Sequence, residues 1–136
     1  MDYEMLCRVR NERNAFGNLV GIKIVEIREG YARTELEVRQ ELLNPIGSLH
    51  GGVLFTMGDI TGGSAAVSHG EQVTTVDADI RYLRPGLNIK KVVCEAEEIK
   101  RGKTLLVYRV NMRDENNTLL TTGTYTYMTL SKKKLI

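Results

Sequence analysis

The chain has 136 residues, 42% of them hydrophobic and 26% charged, with a net charge of +2. These figures exclude disorder, collagen and coiled coil as descriptions of the whole chain. They also give no bulk electrostatic reason to bind nucleic acid or an anionic membrane. The longest apolar runs fall short of the 18 residues a membrane span needs. Charges are scattered through the first 20 residues, unlike a secretory leader, so the cytosol is the expected compartment. One domain over 1–136 is expected for this length. Cys7 and Cys94 show no metal or CxxC spacing, and with only two histidines no metal site is expected.

Residues 3–14 suit a short leading helix. Ile22 to Arg28 and Tyr31 to Arg39 read as a hairpin across Glu29-Gly30, with Ala32, Thr34, Leu36 and Val38 on one face. Asn44-Pro45-Ile46-Gly47 is a loop signature. Gly51 to His69 is apolar, rich in small residues and free of strand alternation, and reads as a buried helix. Beyond Gly70 the period becomes two. Val76, Ala78, Ile80 and Tyr82 alternate with Thr75, Asp77, Asp79 and Arg81, and Pro85-Gly86 closes that strand. Val92, Cys94 and Ala96 mark the next strand. Leu106, Tyr108, Val110 and Met112 mark another, and 118–130 the last. The expected order is hairpin, long helix, four-strand meander: an α+β architecture with an antiparallel sheet around one central helix. A helix apolar on nearly all sides, beside strands with free edges, calls for a second subunit. The lysines at 132–134 read as a solvated tail.

Charge is distributed unevenly. The 29 residues from Leu42 to Gly70 hold seven of the 13 glycines and a single formal charge, Asp59. Burial is the simplest cause of such a window. Within it, Asp59 is either a structural carboxylate paired with a strand arginine such as Arg81, or an unpaired one available as base or nucleophile. Gly58, Gly62 and Gly63 each cost the helix about 1 kcal/mol. They serve either tight helix-on-sheet packing or the approach of a ligand. His50-Gly51-Gly52 opens the helix, whose first N–H groups lack intrahelical partners and could form an oxyanion hole. Asp59 follows His50 by nine residues, roughly 13 Å along the axis. A base there cannot readily serve the start of its own helix, whereas a second subunit could supply one half of the site.

Three segments resemble a known family. Asn44-Pro45-Ile46-Gly47-Ser48-Leu49-His50-Gly51-Gly52 followed by Asp59 is similar to the signature of hotdog-fold thioesterases of the phenylacetate-degradation type, in the hydroxybenzoyl-CoA thioesterase superfamily. Tyr82-Leu83-Arg84-Pro85-Gly86 resembles the family's strand-ending segment, and Lys100-Arg101-Gly102-Lys103-Thr104 its later hairpin turn. The resemblance implies a hotdog fold, homodimers commonly paired into dimers of dimers, and hydrolysis of acyl- or aryl-coenzyme A without a metal or redox cofactor. It implies Asp59 as general base or nucleophile, the Gly51 amide as carbonyl-polarising donor with Asn44 assisting, His50 as loop support, and Thr75 as an orienting hydroxyl. Gly52, Tyr82, Arg84, Pro85, Gly86, Arg101, Gly102 and Lys103 would contact substrate or line the coenzyme A entrance. The alternatives are a non-catalytic acyl-CoA-binding hotdog protein and an enoyl-thioester hydratase or dehydratase, for which His69 is poorly placed.

Overall fold

The computed structural model describes residues 1–130, so the lysines at 132–134 lie outside the described residues. Helix α1 (Tyr3–Arg13) begins at Asp2, whose side chain accepts from the Met5 N–H at 3.0 Å. Helix α2 (Ala15–Val20) follows and ends at Gly21. The sequence gives little sign of it, because its six residues are too few to show a helical period. Strands β1 (Ile22–Arg28) and β2 (Tyr31–Glu37) form the expected hairpin, turning at Gly30 with φ of +70°. Strand β2 stops before Val38.

Helix α3 (Gly51–Ala66) is the expected central helix, and a 3₁₀ turn (Val67–His69) extends it. Strands β3 (Val73–Tyr82), β4 (Lys91–Arg101), β5 (Leu105–Asp114) and β6 (Leu119–Thr129) complete an antiparallel six-stranded sheet ordered β1-β2-β4-β5-β6-β3. All six strands touch α3, and α1 lies against β1. The buried faces of β4, β5 and β6 (Val92, Cys94, Ala96, Tyr108, Val110, Met112, Tyr125, Tyr127) meet Leu54, Met57 and Ala65 from the helix. Burial pushes the Cys94 thiol up to about 12, which leaves it an inert core residue.

Two expectations need correction. Only β4, β5 and β6 form a meander, because β3 pairs with β6 and not with its sequence neighbour β4. In addition, Val76 does not share a face with Ala78 and Ile80. A bulge between Thr75 and Asp77 breaks the alternation, leaving Val76 49% exposed and Thr75 facing α3.

Candidate active site

Helix α3 begins where a tightly tied loop delivers it. Asn44 Oδ1 accepts from the N–H groups of Ile46 and Ser48, both at 3.1 Å, and its Nδ2 donates to Ser48 Oγ at 2.8 Å. This is the loop chemistry of an Asx turn. His50 is the N-cap, with Nδ1 accepting from the Gly52 N–H at 2.8 Å. The Gly52 amide is thereby occupied. The Val53 N–H goes to His50 O at 3.0 Å. Among the described residues, no acceptor takes the Gly51 N–H.

Tyr82, at the end of β3, covers this helix start. Its hydroxyl donates to Gly51 O at 2.8 Å, and its ring passes so close that a Cβ on Gly51 would stand 3.2 Å from Cε1. Partial burial pushes the Tyr82 phenol up. Arg84 donates to Leu119 O at 2.9 Å, which leaves other guanidinium N–H groups free of that bond. A cavity of about 300 Å³ joins Asn44, Gly51, Tyr82, Arg84, Pro85 and Gly86. Six of the expected site residues thus meet within one chain.

Asp59 stands apart from that group, eight residues along the helix from Gly51 and so about 12 Å away. It is half-buried, and its Oδ1 accepts from Thr75 Oγ1 at 2.6 Å. Arg81 is not its partner: that side chain is exposed and its Nη2 lies 4.0 Å from Asp79 Oδ2. Thr75, read from the resemblance as an orienting hydroxyl, thus bonds the Asp59 carboxylate, at the opposite end of β3 from Tyr82.

Arg101, Gly102 and Lys103 line a different cavity, of about 340 Å³, with Ala66, His69 and Val73. A single chain does not bring this turn to Arg84, Pro85 and Gly86. Gly102 closes the β4–β5 turn, its N–H donating to Leu105 O at 2.8 Å.

The glycines of α3 have a packing cause. The Tyr125 hydroxyl and ring occupy the place a Cβ of Gly58 would take, and Tyr127 does the same at Gly62, where Cε2 would lie 2.9 Å away. The space beside Asp59 is thus filled by tyrosine. Sequence reasoning missed both tyrosines, and also Arg10. Arg10 Nε donates to Ser64 Oγ at 3.1 Å, and burial lowers its pKa while Tyr127 and Asp59 act in the opposite sense. The signal available for the tyrosines was spacing. Residues two apart on a strand lie about 6.8 Å apart and four apart on a helix about 6 Å, so Tyr125/Tyr127 can match Gly58/Gly62. Among the described residues, no group of three or more His, Cys, Asp or Glu side chains is placed to hold a metal ion, and no helix is long and apolar enough to cross a membrane.

Comparison with known proteins agrees with this architecture. Residues 46–121 match the family model described as the thioesterase superfamily. A putative esterase of Archaeoglobus fulgidus is 31% identical over 102 residues, which cover 75% of this chain and 66% of that protein. The acyl-coenzyme A thioesterase PaaI of Escherichia coli is 31% identical over 101 residues, covering 74% of this chain and 72% of that one. A solved structure of E. coli PaaI shares the fold, with a TM-score of 0.90 at 24% identity over 95% of this chain and 94% of that one. The structure of smu.793 from Streptococcus mutans, bound to acetyl CoA, is 25% identical, with a TM-score of 0.79 over 84% of this chain and 92% of that one. The matched segment spans the α3 start, Asp59 and β3 through β5, and the chain belongs to the thioesterase superfamily as a hotdog-fold thioester hydrolase of the phenylacetate-degradation type.

Proposed function

We propose that the chain, acting as one domain, hydrolyses acyl- or aryl-coenzyme A to the free acid and coenzyme A, at sites shared between two copies. One observation carries this reading: Thr75 holds the Asp59 carboxylate at 2.6 Å beside a sheet edge left unpaired among the described residues. Strand β3 is ten residues long, roughly 30 Å, with Asp59 at its Thr75 end and the Gly51 amide at its Tyr82 end. Antiparallel pairing of two β3 strands about a two-fold axis brings the Thr75 end of one toward the Tyr82 end of the other. Asp59 of one copy then faces the Gly51 N–H of its partner. The same pairing brings the Arg101–Lys103 turn to the end of the partner that carries Arg84, which suits the phosphates of coenzyme A. The family resemblance extends this to pairs of such dimers.

In this site the Gly51 N–H, at the positive end of α3, stabilises the oxyanion that develops on the thioester carbonyl. Asp59 takes a proton from water as that water attacks the carbonyl carbon, or attacks that carbon itself. The C–S bond breaks and the thiolate leaves and is protonated. Attack by water gives the free acid directly, whereas attack by Asp59 leaves an acyl–Asp59 anhydride that a water then hydrolyses, releasing the acid and restoring the carboxylate. The acyl-coenzyme A thioesterase name of the E. coli relative and the acetyl CoA bound to the S. mutans protein support the substrate class. The hydratase alternative gains nothing from the histidines, since His69 Nε2 contacts Glu98 at 2.6 Å and His50 Nδ1 is taken by the Gly52 N–H. Thiol release from a panel of acyl- and aryl-CoA substrates tests the reading. Asp59→Asn is expected to stay folded and lose about a hundred- to ten-thousand-fold in kcat. Wild-type turnover in that variant would remove Asp59 from its role, and tight binding without thiol release by the native chain would favour the non-catalytic alternative.

A further inference from the structure

Tyr125 and Tyr127 sit under α3 in the same manner. Tyr125 lies beneath Gly58 and donates to Phe55 O at 2.9 Å, while Tyr127 lies beneath Gly62 and donates to Asp59 O at 2.8 Å. One thing separates them: the Tyr127 hydroxyl also stands 3.4 Å from Asp59 Oδ1. Thr75, the cross-strand neighbour of Tyr127, donates to that same oxygen at 2.6 Å. Among the described residues, no hydrogen bond reaches Oδ2.

We propose that Tyr127 is a positioning residue for thioester hydrolysis: with Thr75 it fixes the Asp59 carboxylate through Oδ1 and reserves Oδ2 for the reacting water or carbonyl. The inference rests on the reading of Asp59 as base or nucleophile. The tyrosine is built for the task. It is 1% exposed, and the Tyr108 ring meets it edge-on at 6.1 Å. Tyr108 is itself anchored, donating to Glu98 Oε1 at 2.9 Å. Rotation about the phenol C–O bond carries the single proton from Asp59 O toward Oδ1 without moving the ring. Burial, with the Asp59 charge adding to it, holds the phenol well above its ordinary pKa, so the hydroxyl remains a donor across the working pH range.

The matched pair supplies its own control. Tyr127→Phe and Tyr125→Phe each remove one hydroxyl from the same kind of seat, and only the first touches the carboxylate. Thiol release from an acyl-CoA by Tyr127→Phe is expected to show kcat lowered about tenfold with KM within about twofold, while Tyr125→Phe stays within about twofold in both. Equal kcat losses in the two variants, or an effect confined to KM, overturns the proposal by making both hydroxyls structural. Asp59→Asn, assayed beside them, separates the two layers. Wild-type turnover in Asp59→Asn sinks the base reading and this inference with it, whereas an inactive Asp59→Asn with a wild-type Tyr127→Phe sinks this inference alone. Should Tyr127→Phe fail to fold, replacement of either tyrosine by 3-fluorotyrosine retains ring and hydroxyl. A changed kcat at 127 but not at 125 is then expected, and unchanged kcat at 127 overturns the proposal.

Discussion

The two edges of the sheet are treated in opposite ways. At the β1 edge, α1 lies alongside and Asn11 behaves like a short stretch of strand. Its Nδ2 donates to Ile24 O at 2.8 Å and its Oδ1 accepts from the Ile24 N–H at 3.0 Å, with Cys7 Sγ adding a third contact to Ile24 O at 3.2 Å. At the β3 edge nothing comparable exists among the described residues. Among the described residues strand β3 pairs only with β6, and Thr74, Thr75, Val76 and Asp77 form an exposed run. An open edge is a template for another strand. The blunted edge is the one opposite β3 in the sheet, and the open one carries Thr75, which holds Asp59, and Tyr82, which covers Gly51; the sheet is left open where the proposed site needs its second half.

The difference can be broken from either side. The largest effect is expected from Val76→Lys, which places a charge on the open edge. Sedimentation should show monomers, and thiol release should fall at least about a hundredfold while the fold persists. A monomer with wild-type turnover would show that one copy suffices. An intermediate effect is expected from Gly62→Ala. The new methyl collides with Tyr127, the β6 neighbour of Thr75, and should cost about 1–3 kcal/mol in urea unfolding. A neutral result there would mean that the tyrosine seat is not tight. Asn11→Ala, at the closed edge, should be the mildest, losing about 1–2 kcal/mol of stability with kcat and oligomeric state unchanged.

Much of the fold was legible because its signals are local. The β1–β2 hairpin, the α3 boundaries and the alternation of β4 and β5 all follow from neighbouring residues. The partner of β3 was not legible, because β6 lies some forty residues downstream and period alone does not name a partner. The Thr75–Asp77 bulge likewise depends on register. At the candidate site, the loop from Asn44 to Gly52 and the position of Asp59 could be read from residue type and spacing. Gly58 and Gly62 announced a close approach without saying by what. The answer, two tyrosine rings, comes from strand and helix rises that nearly coincide.

The claim that Asp59 and Gly51 act across two copies is tested most directly by mixing two inactive variants. Asp59→Asn and Gly51→Val each damage a different half of the proposed site. After subunit exchange, about half the dimers contain one copy of each, and each such dimer has one site with both halves intact. Thiol release should therefore recover to about a quarter of the wild-type rate. A mixture that exchanges subunits, as shown by mass, and recovers no activity would contradict the shared site.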